Sequence, residues 1–235
     1  METTETKVEK AARVEKQAVD DGELALINKQ ALRELTADEV FTFKIAACND
    51  QVDRDFEHFS EKALGQLAAL YVGKTVIMDH DWTAKNQTAR VYASGVAPMD
   101  GGGNQLVLRA YMLRSDDTKN AIDRIESGIL REVSVFCSMA KAVCNICGCD
   151  KRVTRCDHRP GHDYDGKTAT VTLDEAVDAY EVSFVAVPAQ REAGTVKQYG
   201  GEDAAPPEEH TDKQTALRLR LAETKQKLFD MEVSE

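Results

Sequence analysis

No apolar run in this chain reaches the 18 or more residues of a membrane-spanning helix, so no span is expected. The first 23 residues are charged and lack an apolar h-region, which argues against a signal peptide. No excess of basic charge exists either. Thirty Lys and Arg stand against 41 Asp and Glu, a net charge of −11, which disfavours direct nucleic-acid binding and suits pairing with basic partners. No internal repeat is present. A chain without a secretory leader is expected to stay in a reducing cytoplasm, so its six cysteines do not read as a disulfide framework.

The 235 residues suffice for one large domain, or one domain with tails, and 42% hydrophobic content supports a core. Residues 1–29 read as a charged N-terminal arm and 30–199 as the folded domain. Residues 200–212, rich in Gly, Pro and acid, form a linker. In 213–235, Leu217, Leu221, Leu228 and Met231 recur at helical spacing, which predicts an amphipathic tail helix.

Alternation and β-branched content predict strands over 40–47, 74–80, 88–99, 105–113, 132–139, 168–173 and 180–187, the last stopped by Pro188. Ser60 and Gly73 bracket a predicted helix over 61–72, and Ser115 and Gly128 another over 116–127. Asp100-Gly101-Gly102-Gly103-Asn104 is a hairpin turn. The fold class is therefore α+β, mainly β, with a small β-barrel decorated by helices.

Two clusters carry chemistry. Within 142–166, Cys144-x-x-Cys147 and Cys156-x-His158 offer four ligands with the spacing of a closed, structural zinc knuckle. His162 competes with His158 for the fourth place, and Cys149 is a spare thiol. Far from it in sequence, Val76–Trp82 ends in His80 between Asp79 and Asp81, and Glu132–Phe136 carries Ser134 between two valines. A serine needs an adjacent base to act as a nucleophile at neutral pH, and Ser–His is the smallest such unit. Ser138 and Ser183 are alternative hydroxyls.

Four segments in order are similar to the phage prohead (capsid-maturation) serine proteases, relatives in fold of the herpesvirus assemblins. They are Val52-Asp53-Arg54-Asp55 with its helix, Gly73-Lys74 through Asp79-His80, Arg131-Glu132-Val133-Ser134, and Tyr180-Glu181-Val182-Ser183-Phe184-Val185-Ala186-Val187-Pro188-Ala189. They span about 40–195. The resemblance implies an antiparallel barrel ringed by helices, Ser134 as nucleophile, His80 as general base and Glu181 as the third member. Apart from the resemblance, Arg191 just past the last strand is a candidate to hold a water or the oxyanion, against the plainer reading of a surface arginine. The zinc-knuckle insert and Phe136, where a small residue is expected, depart from the simpler members.

The implied partners are the major capsid protein precursor, the scaffold and other copies of the chain. The implied place is the immature capsid in the host cytoplasm. The rival reading is a catalytically silent assembly protein of the same fold. A third, a zinc-ribbon adaptor, rests on residues 144–158 alone.

Overall fold

The computed structural model describes residues 19–187. Pro188, Arg191, the expected linker and the expected tail helix lie outside them. The described chain is α+β and mainly strands, built on one seven-stranded sheet that curls into a half-barrel. No helix among these residues is long and apolar enough to cross a membrane.

Helix α1 (Asp21–Asn28) falls inside the stretch read as a charged arm, yet it is docked on the domain. Its Ile27 is buried with Leu35, Val40 and Tyr92 in a small cluster of their own. Glu23 is also buried, and its Oε1 accepts from Arg109 Nη1 at 2.8 Å and Tyr92 OH at 3.1 Å. Two partners on one oxygen offset the cost of burying that carboxylate.

Strand β1 (Val40–Asn49) places Phe41, Phe43, Ile45 and Ala47 on the core side, as period-2 alternation demands. A short β2 (Glu57–Phe59) follows, in a segment to which the sequence assigns no strand. Helix α2 (Glu61–Tyr71) starts where Ser60 Oγ accepts from Ala63 N at 3.0 Å. It buries Ala63, Leu64, Leu67 and Tyr71, spaced three and four apart, and ends before Gly73 at φ +87°. Strand β3 (Thr75–Met78), the hairpin β4 (Ala89–Pro98) and β5 (Asn104–Leu113), and α3 (Asp116–Glu126) come next. Then β6 (Val133–Cys144) leads into a small hairpin, β7 (Asp163–Tyr164) and β8 (Lys167–Thr168), and β9 (Val171–Phe184) closes the described chain.

The sheet runs β1-β5-β4-β3-β9, with β2 also on β9 and β6 along the other flank of β9. Two features differ from the expected antiparallel barrel. First, β2 and β3 both run parallel to β9. A helix joins β2 to β3, and a helical connection lets both strands run in one direction along the same flank. Second, among the described residues no ladder joins β1 to β6, so the sheet is open there rather than closed. The two expected strands at 168–173 and 180–187 are one strand. Register shifts opposite Phe136/Cys137 and Ser138/Met139, and Glu175 at φ +57°, bend it without breaking it.

One apolar cluster fills the curl, with Val76, Val182, Phe184 and Val133 from the central strands and Leu64, Leu67, Ile122 and Ile125 from the helices. Because β3, β9 and β6 are in register here, the alternate residues Thr75, Ile77, Glu181, Ser183, Ser134 and Phe136 share the opposite face. That face carries the candidate site.

Candidate functional site

Strand β3 does not reach His80. It ends at Met78, and the chain turns through two consecutive left-handed residues, Asp79 at φ +53° and His80 at φ +52°. For a side chain with a Cβ this costs about 1–2 kcal/mol per residue, so the turn must be held by its surroundings. It is held at five points. Asp79 N donates to Phe184 O at 2.9 Å and Asp81 N to Met78 O at 3.0 Å. His80 N donates to Ser183 Oγ at 2.7 Å. Asn86 Nδ2 donates to both Met78 O (2.8 Å) and Asp81 O (2.9 Å), tying the two ends of the turn together. Asn86 is a site-shaping residue with no signal in the sequence beyond its proximity to His80.

The turn aims the His80 ring at Glu181, and Nδ1 lies 2.6 Å from Glu181 Oε1. Glu181 is 2% exposed while the His80 side chain is 38% exposed, so the pair joins a buried carboxylate to an imidazole that meets solvent. Such a contact selects the tautomer with the proton on Nδ1 and leaves Nε2 free to accept one. The second oxygen, Oε2, and the hydroxyl of its register neighbour Thr75 are both buried without a hydrogen-bond partner. Asp79 and Asp81 are exposed on the turn, and among the described residues the hydrogen bond to the His80 ring comes from Glu181 rather than from either of them.

Ser134 is brought to the same place by register. It pairs with Ser183, whose hydroxyl holds the His80 backbone. Among the described residues, no hydrogen bond joins Ser134 Oγ to His80. Ser183 is fully buried and engaged with the His80 amide, which sets it apart from a free nucleophile. Ser138 pairs with Asp178, four residues and roughly 13 Å further along β6.

Phe136 packs on Trp82 (centroids 5.1 Å) and Tyr180 (5.4 Å), and its ring centroid is 6.5 Å from that of His80. Trp82 is 54% exposed, so this aromatic wall lines one side of the imidazole and reaches solvent. Behind it, Tyr71 OH donates to Phe136 O at 3.1 Å, and burial pushes the Tyr71 phenol well above its ordinary range, keeping it a donor.

The cysteine cluster is the second site. Cys144 ends β6 and is buried, and Cys147, Cys156 and His158 converge on it so that all four ligand atoms lie within 4.8 Å of one another. On one tetrahedral zinc, two thiolate sulfurs stand about 3.8 Å apart and a sulfur and an imidazole nitrogen about 3.5 Å. Cys147 Sγ to Cys156 Sγ is 3.6 Å, and Cys156 Sγ to His158 Nδ1 is 3.6 Å, so the residues present fit a metal ion. The His158 ring rests edge-on against Tyr164 at 4.6 Å. Its rival His162 instead sits at the base of the β7–β8 hairpin, outside the cluster.

Phe56, at φ +59°, braces this insert against the domain. A Cβ on Gly161 would come within 2.5 Å of its ring, so that position requires glycine. Ten residues of strand, roughly 33 Å, separate Cys144 from Ser134 along β6, too far for an ion held there to reach the His80 ring.

No protein-family model matches the chain, and comparison with curated proteins and with solved structures gives no match. What fold and sites define is a class: a mainly-β α+β domain with a buried carboxylate–histidine pair on one sheet face and a Cys/His cluster able to hold a metal ion at the far end of the same strands.

Proposed function

We propose that the chain is a serine endopeptidase that trims scaffold or capsid-protein extensions during phage prohead maturation. The observation that carries this reading is the 2.6 Å contact between His80 Nδ1 and buried Glu181, on a strained turn beside Ser134. In this mechanism Ser134 Oγ attacks the scissile carbonyl while His80 Nε2 takes its proton. The imidazolium that forms is stabilised by Glu181, and His80 then protonates the leaving amine. Water repeats the sequence to release the acyl group. The strain at Asp79 and His80 supports the reading, because backbone outliers of this kind concentrate where a side chain must be aimed. The absence of a Ser134–His80 hydrogen bond fits a resting site, since such bonds tighten in the substrate complex.

That same absence favours the second reading, a catalytically silent assembly protein of the same fold. The two separate on one experiment. A serine-reactive phosphonate should add covalently to Ser134 in the wild type and leave Ser134→Ala unlabelled. A wild type that takes no label, with intact folding, supports the silent protein.

We assign the Cys144, Cys147, Cys156 and His158 cluster to a structural zinc. Four soft and borderline ligands with no open position suit that ion and leave it no substrate site. Zinc there would order an insert that has little apolar core of its own. The natural substrates are the capsid protein precursor and scaffold, met inside the immature capsid in the host cytoplasm, with other copies of the chain as further substrates.

A further inference from the structure

We propose that Cys149 is a reserve ligand of the metal cluster, able to replace His158 so that the same ion is held by four thiolates. The inference rests on the metal-binding reading of the cluster. Cys149 Sγ lies 3.3 Å from Cys147 Sγ, and its thiol also interacts with that of Cys156. A fifth donor therefore stands beside Cys147, just outside the four whose ligand atoms all lie within 4.8 Å of one another. The separation from Cys147 is about 0.5 Å shorter than that of two sulfurs on one tetrahedral ion, so Cys149 must swing outward from Cys147 to share it.

Cys149 is also held in place by backbone. Cys144 N donates to Cys149 O at 3.0 Å and Gly148 N to Cys144 O at 2.9 Å, and Val143 bridges Asp150 immediately beyond. Gly148 at φ +71° lets the chain close this knuckle. The sulfur is thus carried on the same tight turn as Cys144 and Cys147. His158 arrives on a separate, irregular stretch, with its carbonyl held by Lys151 Nζ at 2.7 Å. Exchanging one for the other needs side-chain rotation on a fixed turn rather than a backbone rearrangement.

The chemistry favours the exchange for a soft ion. A borderline ion accepts three thiolates and one imidazole or four thiolates, and softer ions gain from the fourth sulfur. The added negative charge of the all-sulfur set falls beside Lys151 and Arg152, which immediately follow Cys149 and Asp150.

The test is cobalt(II) titration of the full chain, reading affinity and the thiolate-to-cobalt absorption band. His158→Ala should keep cobalt within about tenfold of the wild-type affinity, and its band should rise by about one third as three thiolates become four. Cys149→Ala should bind like the wild type with a band no stronger. His158→Ala with Cys149→Ala together should lose at least a hundredfold.

Equal losses in His158→Ala and the double variant would overturn the reserve-ligand role while leaving the metal site standing. A wild type that binds no cobalt would overturn the metal reading itself. If His158→Ala does not fold, cadmium-113 resonances of the wild type and Cys149→Ala read the same question. A shift toward the four-sulfur position that Cys149→Ala abolishes supports the exchange, and identical resonances refute it.

Discussion

The backbone N–H of His80 donates to Ser183 Oγ at 2.7 Å, joining the histidine turn to the strand that also carries Glu181. One strand therefore fixes both the main chain of His80, through Ser183, and its ring, through Glu181. Two residues apart on β9, they share a face and act on the same imidazole from two directions.

This relationship separates the two serines. Ser134→Ala should lower peptide-bond cleavage by about 10⁶-fold, the scale of removing a triad serine, with thermal stability unchanged. Ser183→Ala leaves the His80 amide without its partner, a loss of about 1–3 kcal/mol. It should lower kcat by about 10-fold to 100-fold with little change in KM, because binding surfaces stay intact. Steady-state kinetics on a peptide from a capsid-precursor junction measures both. Full activity in Ser134→Ala would remove it as nucleophile, and full activity in Ser183→Ala would remove the positioning role.

Glu181→Gln tests the carboxylate alone. The amide keeps the shape but can present an N–H to His80 Nδ1, favouring the tautomer with the proton on the wrong nitrogen. The expected fall in kcat is about 10⁴-fold. Proton NMR should show loss of the downfield Nδ1–H resonance that the 2.6 Å contact produces in the wild type. An unchanged rate would place Glu181 outside the chemistry.

Sequence pattern carried the elements further than their arrangement. Ser60, Gly73, Ser115 and Gly128 bracketed α2 and α3 because caps act locally, and alternation exposed β1, β4 and β5. The parallel pairing of β3 with β9 was not legible, since period-2 alternation says which face a residue takes and nothing about its neighbour strand. The continuity of β9 through 174–179 was not legible either, because register shifts and a left-handed Glu175 interrupt the alternation there. The left-handed pair Asp79-His80 was equally hidden, because only glycine advertises that conformation. Asp165-Gly166, at φ +55° and +79°, is a turn dipeptide that marks the β7–β8 hairpin locally. The four residues able to hold a metal ion were legible because the spacing of such a knuckle is fixed locally. The choice of His158 over His162 needed the third dimension.

Metal should be present at about one zinc per chain in protein purified without chelator. Cys144→Ser should release it. Because Cys144 and Ser134 lie at opposite ends of β6, the insert should become protease-sensitive while cleavage of a soluble peptide persists. Limited proteolysis, with the cut sites identified by mass spectrometry, reads this directly. Metal-free protein by elemental analysis would remove the ion from the account, and loss of peptide cleavage alongside the metal would show that the two ends are coupled.

A pH dependence of stability is built in between the insert and the domain. Burial, reinforced by the neighbouring charges of Asp53 and Asp55, pushes the Glu57 carboxyl from its ordinary 4.5 up to about 7, with Lys151 opposing. Asp53, whose Oδ1 accepts from the Asp55 and Glu57 amides at 2.9 Å, is shifted the same way, again chiefly by burial. In the unfolded chain Glu57 gives up its proton near 4.5. In the folded chain it keeps the proton until about pH 7. Between these values the folded state binds more protons, so its stability falls as pH rises. The contribution is fully present below about 4.5 and lost through about 7. Thermal unfolding from pH 4.5 to 7.5 should therefore show a declining contribution from this loop. Glu57→Gln, which stays neutral throughout, should flatten that part of the profile and raise stability relative to the wild type at pH 7.5. A wild-type and variant pair with parallel profiles across the window would show that Glu57 titrates normally. Lys151→Ala removes the one opposing charge and should steepen the decline, an independent sign that the insert and the 53–57 loop share one electrostatic environment.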